Sequence, residues 1–145
     1  MKRTGSAVWR GSGKEGSGTL TTPSGALSAQ PYSTRMRFED ETGKSGTNPE
    51  ELIAAALAGC FSMKASFDFT NAGFTPDELK TDAVLMMDKQ GVHWSITKIT
   101  LQLDARIPGI SDEDFHRIAA EAKAGCPVSR ALSVPIDLEA RLHKA

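Results

Sequence analysis

The sequence predicts an α+β fold, a mostly antiparallel sheet packed with one long buried helix and two smaller helical pieces. Three observations carry this expectation. Ile99, Leu101, Leu103 and Ala105 alternate with Lys98, Thr100, Gln102, Asp104 and Arg106, which gives a strand with one packed and one wet face. Val134, Ile136, Leu138, Ala140 and Leu142 alternate in the same way with Asp137, Glu139 and Arg141. Between the front of the chain and these strands lies a capped, Ala-rich stretch that is apolar nearly all round, as a helix buried on every side would be.

The elements follow in order. Ala7-Val8-Trp9 and Thr19-Leu20-Thr21 read as short strands joined through the glycine-rich turn 11–16 as a hairpin, and Ser33 to Phe38 reads as a third strand. The long helix starts at Thr47-Asn48-Pro49-Glu50-Glu51. Either Thr47 caps it with Glu50 closing a capping box, or Asn48 caps it with Pro49 at the first helical position and Glu51 closing the box. It runs to Ala72 and stops at Gly73. Strands over Leu79 to Asp88 and His93 to Arg106 meet at a turn ending in Gly91. Ser111-Asp112-Glu113-Asp114 opens a second helix, with acids suited to its N-terminal dipole, and Gly125 ends it. Cys126-Pro127 starts a short third helix reaching Leu132, and the last strand follows.

Composition narrows the functional classes. The 145 residues fit one domain, and no repeat, charge block or low-complexity tract divides 1–145. Lys and Arg number 17 against 18 Asp and Glu, for a net charge of −1, so the basic excess of a nucleic-acid binder is missing. The longest uncharged apolar stretch, Leu52 to Met63, is 12 residues, short of the roughly 20 needed to span a bilayer. The start of the chain lacks the apolar core of a signal peptide, and the expected location is the cytoplasm. A domain of this size rarely encloses a whole apolar helix alone, so a second subunit is expected to cover part of it.

Two cysteines in a reducing compartment rarely serve as a permanent staple, which leaves their chemistry to explain. Cys60 and Cys126 are 66 positions apart, with no CxxC pair and no histidine at ligand spacing, so a structural metal site is not expected. Cys60, inside an Ala-rich helix, reads as a small core residue. Cys126, before Pro127 at a helix start with Arg130 one turn on, reads from spacing alone as the low-pKa nucleophile. His93 and His116 read as surface residues, and Trp9 and Trp94 as core or interface anchors.

Two long motifs surround the cysteines. Gly46-Thr47-Asn48-Pro49-Glu50-Glu51-Leu52-Ile53-Ala54-Ala55-Ala56 with Cys60-Phe61-Ser62-Met63, and Ala122-Lys123-Ala124-Gly125-Cys126-Pro127-Val128-Ser129, resemble the signature of the OsmC/Ohr family. The segment 30–39, containing Arg35, Arg37 and Phe38, and Ile107-Pro108-Gly109-Ile110 resemble its osmotically inducible protein C branch. The likeness covers nearly the whole chain.

The resemblance implies an OsmC-like fold in an intertwined homodimer with active sites at the subunit interface. It implies a thiol-dependent peroxidase that reduces organic hydroperoxides, and hydrogen peroxide less well, in defence against oxidative and osmotic stress. By motif position Cys60 attacks the peroxide, Cys126 resolves, and Arg37 and Glu50 complete the site. Arg35, on the same face of the expected strand, is the alternative arginine. A cation at Cys60 in a water-poor site would stabilise its thiolate, which is why the family assignment outweighs the helix-start reading of Cys126. Arg37 could also bind the peroxide oxygen, and Glu50 would hold Arg37 by a two-point hydrogen bond unless it serves only as a cap. Leu57, Phe61 and Met63 are candidates for an apolar pocket that favours organic peroxides, although such residues are more often core. No cofactor is expected, because sulfur carries both electrons and an external dithiol returns them. The expected partners are a second copy, the hydroperoxide and the dithiol, with no nucleic acid and no membrane. The competing readings are a thiol-based redox sensor and a non-catalytic binding dimer of the same fold.

Overall fold

Among residues 1–144, which the computed structural model describes, the elements run β1 (Ser6–Arg10), β2 (Ser17–Thr21), β3 (Gln30–Ser33), α1 (Thr34–Phe38), α2 (Pro49–Asn71), β4 (Glu78–Gln90), β5 (His93–Arg106), α3 (Asp112–Gly125), α4 (Pro127–Ala131) and β6 (Ile136–Leu142). The chain forms two compact units that part within the first turn of α2, between Leu52 and Ile53. No shift in composition marks that point in the sequence.

In the first unit β1, β2 and β3 form an antiparallel sheet in that order. The expected hairpin forms, and Gly11, at φ 92°, takes the left-handed backbone its turn requires. The expected strand over 33–38 does not form. Ser33 ends β3, and its hydroxyl accepts the Met36 N–H at 3.1 Å, so the chain turns into the single-turn helix α1. A serine that satisfies a free amide of the first turn favours helix over strand at this point. Beyond α1 the Asp40 carboxylate gathers the 40–45 loop, accepting from the backbone N–H and hydroxyl of Thr42 at 3.0 and 2.6 Å and of Ser45 at 2.7 and 2.6 Å. The hydroxyls of Ser45 and Thr42 hold that carboxyl well below the usual carboxylate range.

In the second unit β5 lies between β4 and β6. The β4–β5 pair is antiparallel through a tight turn at Gly91, whose φ is 64°. The β5–β6 pair is parallel. Helices α3 and α4 carry the chain back across the sheet between β5 and β6, and a crossover of that kind returns a strand in its original direction. Ile99, Leu101, Leu103 and Ala105 of β5 are buried with Phe115, Ile118, Ala119 and Ala122 of α3 and Leu57, Phe61, Ala65 and Phe69 of α2.

That stripe of α2, spaced every four residues, is the part of the helix that its own chain buries. The opposite stripe, Ala56, Gly59, Met63 and Phe67, is exposed, with Met63 at 66% and Phe67 at 63%. Helix α2 also outruns the 12-residue apolar stretch, extending over 23 residues with a window of mean hydropathy 1.4. By length and composition alone it could cross a membrane, yet one whole face is packed into the core of this unit. Trp9 and Trp94, expected as core or interface anchors, are 37% and 52% exposed.

Candidate active site

Cys60 comes from α2, at the margin between its buried and exposed stripes, and is half-buried. Cys126 is fully buried at the joint between α3 and α4. Pro127 makes that joint. It disfavours the helical region for the residue before it, and Cys126 sits at φ −64°, ψ 122°, extended, so α3 ends and a new helical turn begins. The Cys126 N–H still closes α3 onto the Ala122 carbonyl at 2.9 Å, while its own carbonyl accepts the Arg130 N–H of α4 at 3.0 Å. Gly125 admits the Lys64 side chain of α2, since a Cβ there would lie 3.1 Å from Lys64 Cε.

The two thiols, far apart in sequence, lie close enough in the fold to perturb each other's ionisation. Burial pushes the Cys60 thiol up; the Val128 N–H opposes this, and the adjacent Cys126 sulfur adds to it. Burial also pushes Cys126 up, but the Ser129 N–H, the Cys60 thiol, the Ser129 hydroxyl and the Val128 N–H favour its charged form and outweigh it, so the net direction is down. Of the two, Cys126 is therefore the better thiolate, the order that the residue pattern alone suggested. The Ser129 and Val128 N–H groups are the helix-start amides expected to act there; the Ser129 hydroxyl and Cys60 add to them, and Arg130, expected to help, is exposed. Sequence reasoning passed over Ser129, although its place three residues after a helix-starting Cys is where an N-cap side chain meets its partner.

In the first unit Asn48 Oδ1 accepts the Glu51 N–H at 2.8 Å, and Glu51 accepts the Thr47 hydroxyl at 2.6 Å. Capping thus falls to Asn48, the second of the two alternatives, and Glu50 is released from it. The Glu50 carboxylate instead receives Arg37 Nε at 3.0 and 3.2 Å, and Arg37 Nη2 donates to Oε1 as well. Side-chain exposures of 36% for Arg37 and 13% for Glu50 shield this forked pair from the screening that weakens surface ion pairs. Because α1 is a helix and not a strand, residues two apart point in nearly opposite directions. Arg35 therefore diverges from Arg37 and pairs with Glu39 at 3.4 Å, with both side chains largely exposed. Leu57 and Phe61 belong to the core and Met63 to the exposed stripe, so the three do not share one pocket. Among the described residues no three His, Cys, Asp or Glu side chains cluster as metal ligands.

The family model for OsmC-like protein matches residues 41–140. The chain belongs to the OsmC family. It is 47% identical over 142 residues, 98% of this chain and 97% of the relative, to Peroxiredoxin OsmC of Escherichia coli (strain K12). It is 30% identical over 101 residues, 67% of this chain and 68% of the relative, to Organic hydroperoxide resistance protein-like 2 of Staphylococcus saprophyticus. Its fold matches an OsmC-like protein of unknown function from Vibrio cholerae with a TM-score of 0.77, covering 97% of this chain and 99% of that one at 15% identity. This OsmC-family chain thus brings Cys60 and Cys126 near each other inside the second unit.

Proposed function

We propose that this OsmC-family protein is a thiol peroxidase that reduces organic hydroperoxides through Cys60 and Cys126. The observation that carries the reading is the proximity of two reduced sulfurs that differ in access, one half-buried and one fully buried. The full-length likeness to a peroxiredoxin supports it. Peroxide reaches Cys60 first. Its thiolate attacks the O–O bond, the alkoxide leaves and takes a proton as alcohol, and Cys60 becomes a sulfenic acid. The Cys126 thiolate attacks that sulfur, expels hydroxide, which leaves as water, and closes a Cys60–Cys126 disulfide. An external dithiol reopens the disulfide by exchange and returns two electrons.

Burial and the neighbouring sulfur both push Cys60 up, so the first step calls for a cation at Cys60 in the assembled protein. Motif position assigns that task to Arg37, steadied by Glu50. The working form is a homodimer in which a second copy covers the exposed stripe of α2.

The test is steady-state turnover of tert-butyl hydroperoxide and of hydrogen peroxide with several dithiols. Cys60→Ser is expected to lower kcat/KM about a thousandfold or more, with His93→Ala, exposed at the start of β5, as control. Equal inertness of the wild type and the Cys60 variant removes the peroxidase reading, and oxidation that halts after one equivalent in excess dithiol marks a sensor instead.

A further inference from the structure

The two sulfurs account for the electrons but leave one buried polar group idle. Ser129 Oγ is, among the described residues, the buried side-chain oxygen without a hydrogen-bond partner of ordinary geometry. Such a hydroxyl costs stability, so its retention in a packed site calls for a reason. Its neighbour is the Cys126 sulfur, whose charged form both the Ser129 hydroxyl and the Ser129 N–H favour. A neutral thiol or a disulfide sulfur is a poor acceptor, whereas a thiolate is a strong one. The hydroxyl therefore finds its partner only when Cys126 carries charge.

Access fixes when that happens. Cys126 is wholly enclosed by its own chain, while Cys60 is only half-buried in it. A thiolate arriving from solvent can line up behind Cys60 and not behind Cys126. We infer that Ser129 is a positioning residue for the reductive half of the cycle, its hydroxyl holding Cys126 as the sulfur that departs when an external dithiol attacks Cys60. This deepens the peroxidase reading above and rests on its disulfide.

The dithiol's thiolate forms a bond to Cys60 Sγ as the Cys60–Cys126 bond breaks. Cys126 leaves with the electron pair, meets the Ser129 hydroxyl and then takes up a proton. The second sulfur of the reductant attacks the first, closes a cyclic disulfide and frees Cys60. The protein gains two electrons and the dithiol loses two. The directions found for the two thiols agree, since the better thiolate is the better leaving group.

The test uses the full chain oxidised to its disulfide with diamide, so that no peroxide step is involved, and reduced with dithiothreitol as the probe. Loss of one hydrogen bond to the departing thiolate in Ser129→Ala is expected to slow reduction about three- to tenfold. Ser129→Thr, which keeps the hydroxyl, restores the rate. Oxidation of reduced Cys60 by tert-butyl hydroperoxide in Ser129→Ala keeps its wild-type rate, a split that general damage to the fold would not produce. In the wild type, 2-mercaptoethanol followed by acid trapping places the mixed disulfide on Cys60. A mixed disulfide on Cys126, an unchanged rate of reduction in Ser129→Ala, equal slowing of both halves, or no disulfide with diamide would each overturn the inference. A wild type inert to hydroperoxide but normal in these steps removes the peroxidase reading alone.

Discussion

At Cys60 and Cys126 the same two residues impose opposite shifts on each other. The charged form of Cys126 is favoured by Ser129, the Cys60 thiol and the Val128 N–H, while Cys60, pushed up first by burial, is pushed further by the sulfur near it. Removing Cys126 removes that second push and leaves burial opposed by the Val128 N–H. Cys126→Ser is therefore expected to move the Cys60 titration to lower pH, read from thiolate absorbance in the ultraviolet. A midpoint that stays put or rises would mean that burial alone sets it. Residue spacing conveyed the easy ionisation of Cys126, because Cys-Pro at a helix start is a local pattern. It conveyed nothing of the Cys60–Cys126 proximity, which depends on how α2 packs beside the α3–α4 joint.

The segment 30–39 shows how one hydrogen bond redirects an element. Its alternating composition suits a strand, yet the Ser33 hydroxyl captures the Met36 N–H and starts α1. The change of element changes the chemistry, since it turns Arg35 towards Glu39 while Arg37 pairs with Glu50. If the arginine acts as proposed, Arg37→Ala lowers kcat/KM for tert-butyl hydroperoxide about a hundredfold, the scale of one lost charge-stabilising donor, whereas Arg35→Ala stays near wild type. Ser33→Ala, which removes a cap of about 1 kcal/mol, is expected to loosen α1 and lower kcat/KM a fewfold through Arg37. Equal losses in Arg35→Ala and Arg37→Ala would contradict the division of labour. The start of α2 was legible down to two cap alternatives, and the choice of Asn48 over Thr47 is what frees Glu50.

For the molecule as a whole, the open question posed by α2 is what covers its second face. Phe61 and Phe69 anchor one side in the core, where truncation of Phe61 to Ala should cost about 3–5 kcal/mol. Met63 and Phe67 on the other side present large apolar groups to solvent, a costly arrangement for a lone chain. With a second copy seated there, Phe67→Lys is expected to shift sedimentation from dimer towards monomer while far-ultraviolet circular dichroism is kept. A wild type that sediments as a monomer at assay concentrations would contradict the dimer directly.

The amino-acid order by itself determined the α+β class, the β1–β2 hairpin, the span of β5, the start of α3 at Ser111, the start of α2 to within Thr47 or Asn48, and the family. These are local or periodic signals: caps, turn glycines, a period of two or of 3.6, and two motifs that each occupy one contiguous stretch. Tertiary structure alone decided that α2 keeps one apolar face open, that β6 runs parallel to β5, that Arg37 and not Arg35 meets Glu50, and that Cys60, Cys126 and Ser129 share one buried corner. Each of these depends on which distant segments pack together, and burial and hydrogen-bond partners are properties of that packing, carried by no single stretch of chain.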